Sequence, residues 1–252
     1  MKLLIDIGNT HIVSALSEND KLINSFRIPT NQALTEDLYA FYLETFLLQN
    51  HTNIFQVKKI ILCSVVPTLH RIFKIFAKKY NIELFDIATA TKLSFNLPYS
   101  IEERGNDRVA VIEGVIGYYE IGNFICIDCG TATTIDIIVD NTYVGGNILP
   151  GLHTSYKSLC DKADQLPFLE IVPTEKVFGI TLQEQLSSGI LHGYVGQLKY
   201  FISKIHCDYP NLPVFATGGV ASILTPYMGT LWLEDKFLLE KGLHYIEKRH
   251  RV

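Results

Sequence analysis

Two stretches, far apart in the chain, carry the same chemistry-bearing residue types. Asp6-Ile7-Gly8-Asn9-Thr10 lies between an apolar run at 3–5 and another at 12–16. Asp128-Cys129-Gly130-Thr131-Ala132-Thr133-Thr134 lies between apolar runs at 124–127 and 135–139. Each reads as strand, acidic turn, strand, which is a β-hairpin whose turn holds a carboxylate, a glycine and hydroxyls. Glycine lets the backbone come close to a phosphate. Thr10, Thr131, Thr133 and Thr134 supply donors, and Asp6 and Asp128 can each hold a hydrated metal ion at the rim of a strand. This is what a nucleoside triphosphate with its magnesium asks of a protein. A single Asp-x-Gly-x-Thr also makes an ordinary tight turn. Its repetition, once per half of the chain, points to phosphate.

Three further stretches carry candidate chemistry. Gly105-Asn106-Asp107-Arg108 offers a carboxylate to orient an attacking hydroxyl and accept its proton, beside a guanidinium suited to a substrate carboxylate. A surface Asp-Arg turn is the alternative. Thr217-Gly218-Gly219 follows an apolar strand, and its bare backbone suits either a nucleotide's base and ribose or a structural turn. Gly145-Gly146-Asn147-Ile148-Leu149-Pro150-Gly151 reads as a shaped loop, for packing or for ligand approach. The chain has no G-x-x-x-x-G-K-[ST], no G-x-G-x-x-G before a helix and no protein-kinase motif set, so a phosphate site here is built from the hairpins.

The elements that position these residues alternate in type. Periodicity predicts helices over 35–50, 68–80 and 182–205, and one from about residue 220. Pro67 is placed to open the second of these. Strands are predicted over 59–66, 82–87 and 214–217. Hairpins mixed with strand–helix units give mixed sheets flanked by helices, an α/β class. The second acidic hairpin falls halfway along the chain, so two related domains are expected, 1–115 and 116–252.

Composition sets the outer bounds. The 252 residues are 48% hydrophobic and 19% charged, which is globular, with a net charge of −4. The one dense basic stretch, Lys248-Arg249-His250-Arg251, reads as a solvated tail, and nucleic acid is not an expected partner. No apolar run is long enough to span a membrane and no leader is recognisable, so a cytoplasmic location is expected. Five irregularly spaced cysteines do not form a secreted disulfide framework. Cys126 and Cys129 form a lone C-x-x-C inside a strand-like run and are expected to be buried, inert thiols.

The ordered set resembles type III pantothenate kinase. The matching stretches are Asp6-Ile7-Gly8-Asn9-Thr10, Ser64-Val65-Val66-Pro67, Gly105-Asn106-Asp107-Arg108, the second acidic turn, the glycine-rich stretch ending at Gly151, and Thr217-Gly218-Gly219. The resemblance implies two ribonuclease-H-like domains of the acetate kinase, sugar kinase and actin type, with a central cleft. It implies a transferase that phosphorylates pantothenate with ATP, the first step of coenzyme A biosynthesis, using magnesium and a monovalent cation, potassium or ammonium, as a homodimer. Carried over by position, Asp107 becomes the catalytic carboxylate. Asp6, Ile7, Gly8, Asn9, Thr10, His11, Ile12 and Val13 cradle ATP, together with Thr131, Gly218 and Gly219. Asp6 lies near magnesium and Asp128 binds the monovalent cation. Tyr99, Gly105, Asn106, Asp107 and Arg108 line the pantothenate site, with Tyr99 one residue closer to Asp107 than in the family pattern. Where the family has Gly-x-x-Thr, a threonine that reaches pantothenate across the dimer, this chain has Gly179-Ile180-Thr181-Leu182. Leu182 holds the aligned place and Thr181 sits one earlier. Gly189, Gly193 and Gly196 nearly line one helix face and suit close helix approach, within the chain or between chains. Two rival readings are a kinase of the same fold acting on a sugar or short acid, and a nucleotide-binding regulator without catalysis.

Overall fold

The computed structural model describes residues 1–98 and 105–250. The chain divides into two compact units, Met1–Glu120 with Leu238–Val252, and Ile121–Phe237. The sequence places the boundary at 115 and assigns the last helix to the second half. The structure gives that helix to the first unit.

The first unit is built on a mixed five-stranded sheet. β1 (Lys2–Ile7), β2 (His11–Glu18) and β3 (Lys21–Pro29) form an antiparallel meander. After α1 (Glu36–Gln49), β4 (Lys59–Ser64) returns parallel to β1. After α2 (Pro67–Lys79), β5 (Glu83–Asp86) pairs parallel to β4, giving the order β3-β2-β1-β4-β5. α3 (Asn106–Tyr119) follows. Thr35 caps α1 through its hydroxyl, and Pro67 opens α2, where its missing N–H costs nothing.

Both faces of the central strands are covered, which is why β1 and β4 read as near-continuous apolar runs. Leu3, Ile5 and Ile7 join Ile60 and Leu62 in one core with Tyr39 and Leu43 of α1 and Phe73 and Phe76 of α2. Side chains alternate along a strand. Leu4, Ile61, Cys63 and Asp6 therefore point to the opposite face.

The second unit repeats the plan. β6 (Phe124–Cys129), β7 (Ala132–Val139) and β8 (Thr142–Pro150) form the meander. α4 (Leu152–Lys162) and the 27-residue α5 (Leu182–Asp208) follow. β9 (Val214–Thr217) pairs parallel to β6, α6 (Ala221–Met228) comes next, and β10 (Leu233–Glu234) pairs parallel to β9. The order is β10-β9-β6-β7-β8, so β6 occupies the place of β1 and β9 that of β4. Ile125, Ile127 and Cys129 pack on α5 and α6. Cys126 lies three residues from Cys129 along the strand and so faces the other way. The two thiols are buried on opposite faces and form no disulfide with each other. Burial, then the charges of Asp128 and Glu234, pushes the Cys129 thiol above its ordinary value.

Two sequence expectations need correction here. The glycine-rich stretch from Gly145 to Pro150 is not a loop but most of β8, with a bulge opposite Ile137 and Ile138. Gly151 caps α4. The glycines at 189, 193 and 196 do not serve helix packing within the chain, because a methyl added at any of them meets nothing within 4 Å.

α7 (Leu238–His250) carries the chain back to the first unit and lies backbone against backbone on α3. A methyl at Gly114 would stand 2.1 Å from the Leu238 carbonyl oxygen, and one at Gly242 1.7 Å from that of Ala110. Only glycine permits this approach.

Candidate active site

In the first unit, Asp6 sits one residue before the end of β1, paired with Val13 on β2 and Cys63 on β4. The Gly8 amide donates to the His11 carbonyl at 3.0 Å and closes the turn. Thr30 braces it, its hydroxyl donating to the Gly8 carbonyl at 2.7 Å and its amide to that of Thr10 at 2.9 Å. Asn9, Thr10 and His11 are exposed on the crest. Burial and the charge of Arg27 lower the His11 pKa. Ile7 and Ile12 are fully buried in the core, so of these two only the backbone can meet a ligand. Val13 is partly buried.

Asp107 stands in the first turn of α3, where the helix dipole favours a negative charge. Its Oδ1 accepts the Arg108 amide at 2.8 Å. Gly105 leaves room for this carboxylate, since a methyl there would lie 2.8 Å from the same oxygen. Asn106 and Arg108 are partly buried beside it. Tyr99 lies outside the described residues.

Cys63 ties these carboxylates together. It is fully buried, and its thiol is pushed well above its ordinary range. Burial is the largest cause, followed by the charges of Asp6 and Asp107, a hydrogen bond with Asp6 and the charge of Asp86. One thiol at the carboxyl end of β4 thus feels all three acids. Open α/β sheets bind ligands at this end of their strands. Asp86 is itself anchored by His70 Nε2 at 2.8 Å, and despite its burial this bond and the neighbouring Lys74 hold it below its ordinary value. Sequence reading missed the role of Cys63, because strand register is not written in any local motif.

In the second unit, Asp128 is paired with Thr134 on β7 and Thr217 on β9. The Gly130 amide donates to the Ala132 carbonyl at 3.0 Å, closing a turn one residue tighter than that at Gly8. Gly218 has φ +92°, and a methyl there would lie 2.4 Å from Asp128 Oδ1 and 2.6 Å from the Cys129 carbonyl oxygen. Gly218 thus brings its backbone against the carboxylate, and Gly219 beside it is exposed. The α4 terminus supports the turn from below. The Gly151 amide and Thr154 hydroxyl donate to the Thr131 carbonyl at 3.0 and 2.6 Å. Gly151 is required, as a methyl would lie 2.2 Å from the Gly130 carbonyl oxygen. The hydroxyls divide: Thr131 is exposed, while Thr133 is buried and hydrogen-bonded to Tyr194.

Thr181 and Leu182 open α5. Thr181 is its N-cap in a capping box, accepting the Glu184 amide at 3.3 Å while Glu184 accepts those of Ile180 and Thr181. Leu182 is 41% exposed.

Among the described residues no group of three or more His, Cys, Asp or Glu side chains could hold a metal. The single carboxylates of Asp6 and Asp128 do suit oxygen-seeking cations. A magnesium ion would take one of them and complete its shell from phosphate oxygens and water.

The duplicated sheet with acidic hairpin turns at corresponding strand ends defines the class: two ribonuclease-H-like domains of the acetate kinase, sugar kinase and actin type. A ROK family glucokinase from Streptomyces griseus, solved with glucose and AMPPNP, has this fold at TM-score 0.56 and 11% identity, covering 98% of each chain. A protein described as a Baf family transcriptional activator, from Campylobacter jejuni, matches at TM-score 0.64 and 24% identity, over 99% of this chain and 98% of the other. Within that class, the profile of type III pantothenate kinase matches residues 2–204. A type III pantothenate kinase of Fusobacterium nucleatum subsp. nucleatum is 35% identical over 252 residues, covering 98% of each chain. The chain belongs to the type III pantothenate kinase family.

Proposed function

We infer that this chain transfers the γ-phosphate of ATP to the hydroxyl of pantothenate, the first step of coenzyme A biosynthesis. The observation that carries this reading is the family match along the full length of the chain. Asp107 orients the pantothenate hydroxyl and takes its proton, and Gly105, Asn106 and Arg108 line the substrate. Asp6 and its turn, residues 6–13, hold the ATP phosphates and magnesium, with contacts from Thr131, Gly218 and Gly219. Asp128 takes a monovalent cation, potassium or ammonium. What supports the first assignment is that Asp6 and Asp107 act on one buried thiol. Phosphoryl transfer needs placement and charge neutralisation more than covalent chemistry, and these residues are suited to both.

Residues 181 and 182 and the glycines of α5 belong to a homodimer in this reading. The three glycines face open space, and Phe178 and Ile180, ahead of the helix in sequence, are 81% and 87% exposed. Thr181 keeps a hydroxyl hydrogen to offer while its oxygen caps the helix, so it takes the part of the family threonine. No helix among the described residues is long and apolar enough to cross a membrane. The absence of disulfides agrees with a reducing cytoplasm.

A coupled ADP-release assay tests the assignment. ADP should appear only when pantothenate is present, and faster in potassium than in sodium. Release with a sugar or short hydroxy acid and none with pantothenate would overturn it. Asp107→Asn should cut kcat by about 100-fold or more, the range of general-base loss, while ATP still binds. Turnover like the unmodified chain's would remove Asp107 from its role.

A further inference from the structure

Residues 91–93 belong to no strand or helix, yet their backbone groups and that of Ser94 are held by side chains from two helices. The amides of Thr91 and Lys92 both donate to His250 Nε2 at 3.2 Å. The Leu93 carbonyl accepts from Arg249 at 3.4 Å. The Ser94 amide donates to Glu113 Oε1 at 2.5 Å. His250 and Arg249 end α7, and Glu113 is on α3, the helix that presents Asp107.

The chemistry of each holder is specific. His250 Nδ1 lies 2.9 Å from the Ile246 carbonyl and must donate to it. Nε2 is then the lone-pair nitrogen of a neutral ring, free to accept the two amides. Glu113 is fully buried, an uncommon place for a carboxylate in a helix interior, and its second oxygen is buried without a hydrogen-bond partner. Burying an acid is costly, and the hydrogen bond from the Ser94 amide offsets part of that cost.

What it does is close a loop. Ser94 and Glu113 are 19 residues apart in sequence, and residues 105–108 lie between them. We propose that Glu113 and His250 are positioning residues, which clamp residues 91–94 onto α3 and α7 and so brace the helix whose first turn carries the pantothenate-binding residues Gly105, Asn106, Asp107 and Arg108. This rests on the reading that those four residues bind pantothenate. Without the clamp, residues 91–94 lose these restraints, and the cost of ordering them then falls on substrate binding.

The test compares steady-state kinetics with hydrogen exchange on the full chain. Glu113→Ala should raise the KM for pantothenate about tenfold, leaving kcat and the KM for ATP within about twofold, and tenfold corresponds to about 1.4 kcal/mol. Glu113→Gln keeps an acceptor for Ser94 and should restore the KM. His250 sits at the end of its helix, so His250→Ala should fold normally and show the same KM split. His250→Gln, whose carbonyl can accept the same amides, should reverse it. The Thr91 and Lys92 amides should exchange faster in His250→Ala, and that of Ser94 in Glu113→Ala. Because both residues hold one segment, the double alanine variant should raise KM less than the two single effects combined. Faster exchange with no change in the KM for pantothenate would overturn the proposal, as would equal changes in the KM for ATP. If the unmodified chain does not phosphorylate pantothenate, the functional reading fails and the positioning role with it. The exchange arm would then still report whether the clamp exists.

Discussion

Gly218 is where the smallest change should have the largest local effect. Its φ of +92° and the 2.4 Å from a would-be methyl to Asp128 Oδ1 leave no room for a side chain. Gly218→Ala should lower stability by about 1–2 kcal/mol from backbone strain alone. It should also raise the KM for ATP by displacing the Asp128 carboxylate, and thermal melting and an ATP titration would check the two effects. Glu113 gives the opposite outcome. Burial, the largest influence on it, raises its pKa above the ordinary 4.5 despite the Ser94 amide hydrogen bond and the nearby charge of Arg249. An acid whose folded value is raised contributes its stability below the unfolded value and loses it as pH rises through the folded one. Glu113→Gln should therefore melt higher than the unmodified chain at about pH 8, with the gain shrinking toward pH 5. A gain independent of pH would refute the ionisation argument. Most of the proposed site residues stand out in the sequence at this scale, because Asp6, Asp128, Asp107 and Gly218 lie in local motifs. Cys63 and Glu113 do not, because each acquires its partner through register or through a distant helix.

Among the elements, those with a strong periodic pattern or a sharp cap were readable. α2 shows Leu69, Phe73 and Phe76 on one face, and α5 opens on a capping box, so both fall within a few residues of expectation. α3 hides from pattern reading because residues 109–116 are all buried and leave no polar face to mark the helix. β8 hides because paired glycines and a proline imitate a loop, although an edge strand tolerates both. α7 is amphipathic, and what the sequence does not disclose is which half of the molecule its apolar face covers. Its contact with α3 is set by glycine. Gly242→Ala must force the two backbones apart and should destabilise the chain by about 3 kcal/mol. Chemical denaturation measures this, and a change below about 0.5 kcal/mol, the range of surface substitutions, would mean that the helices do not pack so closely.

At the scale of the whole molecule, the α5 glycines give the test of assembly. Gly193 is exposed and meets nothing within the chain, so an arginine there should not disturb the fold. It replaces a helix-breaking residue by a helix former, worth about 1 kcal/mol in the monomer's favour. Gly193→Arg should give a stable monomer by sedimentation, with pantothenate turnover reduced. A dimer of unchanged activity would place the interface elsewhere. The duplication was legible at this scale because its signature, an acidic turn between apolar strands, is local and recurs. The crossing of the C-terminal helix into the first unit was not, since nothing in its own composition names its partner.

That crossing bears on how the molecule is made. Residues 121–237 contain every strand of their own sheet and can assemble as soon as they leave the ribosome. The amino-terminal half emerges earlier, yet α3 lacks its covering helix until residues 238–250 have been translated. Synthesis therefore runs in one direction and completion in the other: the half born first is finished last, and its exposed apolar helix must be tolerated in the interval.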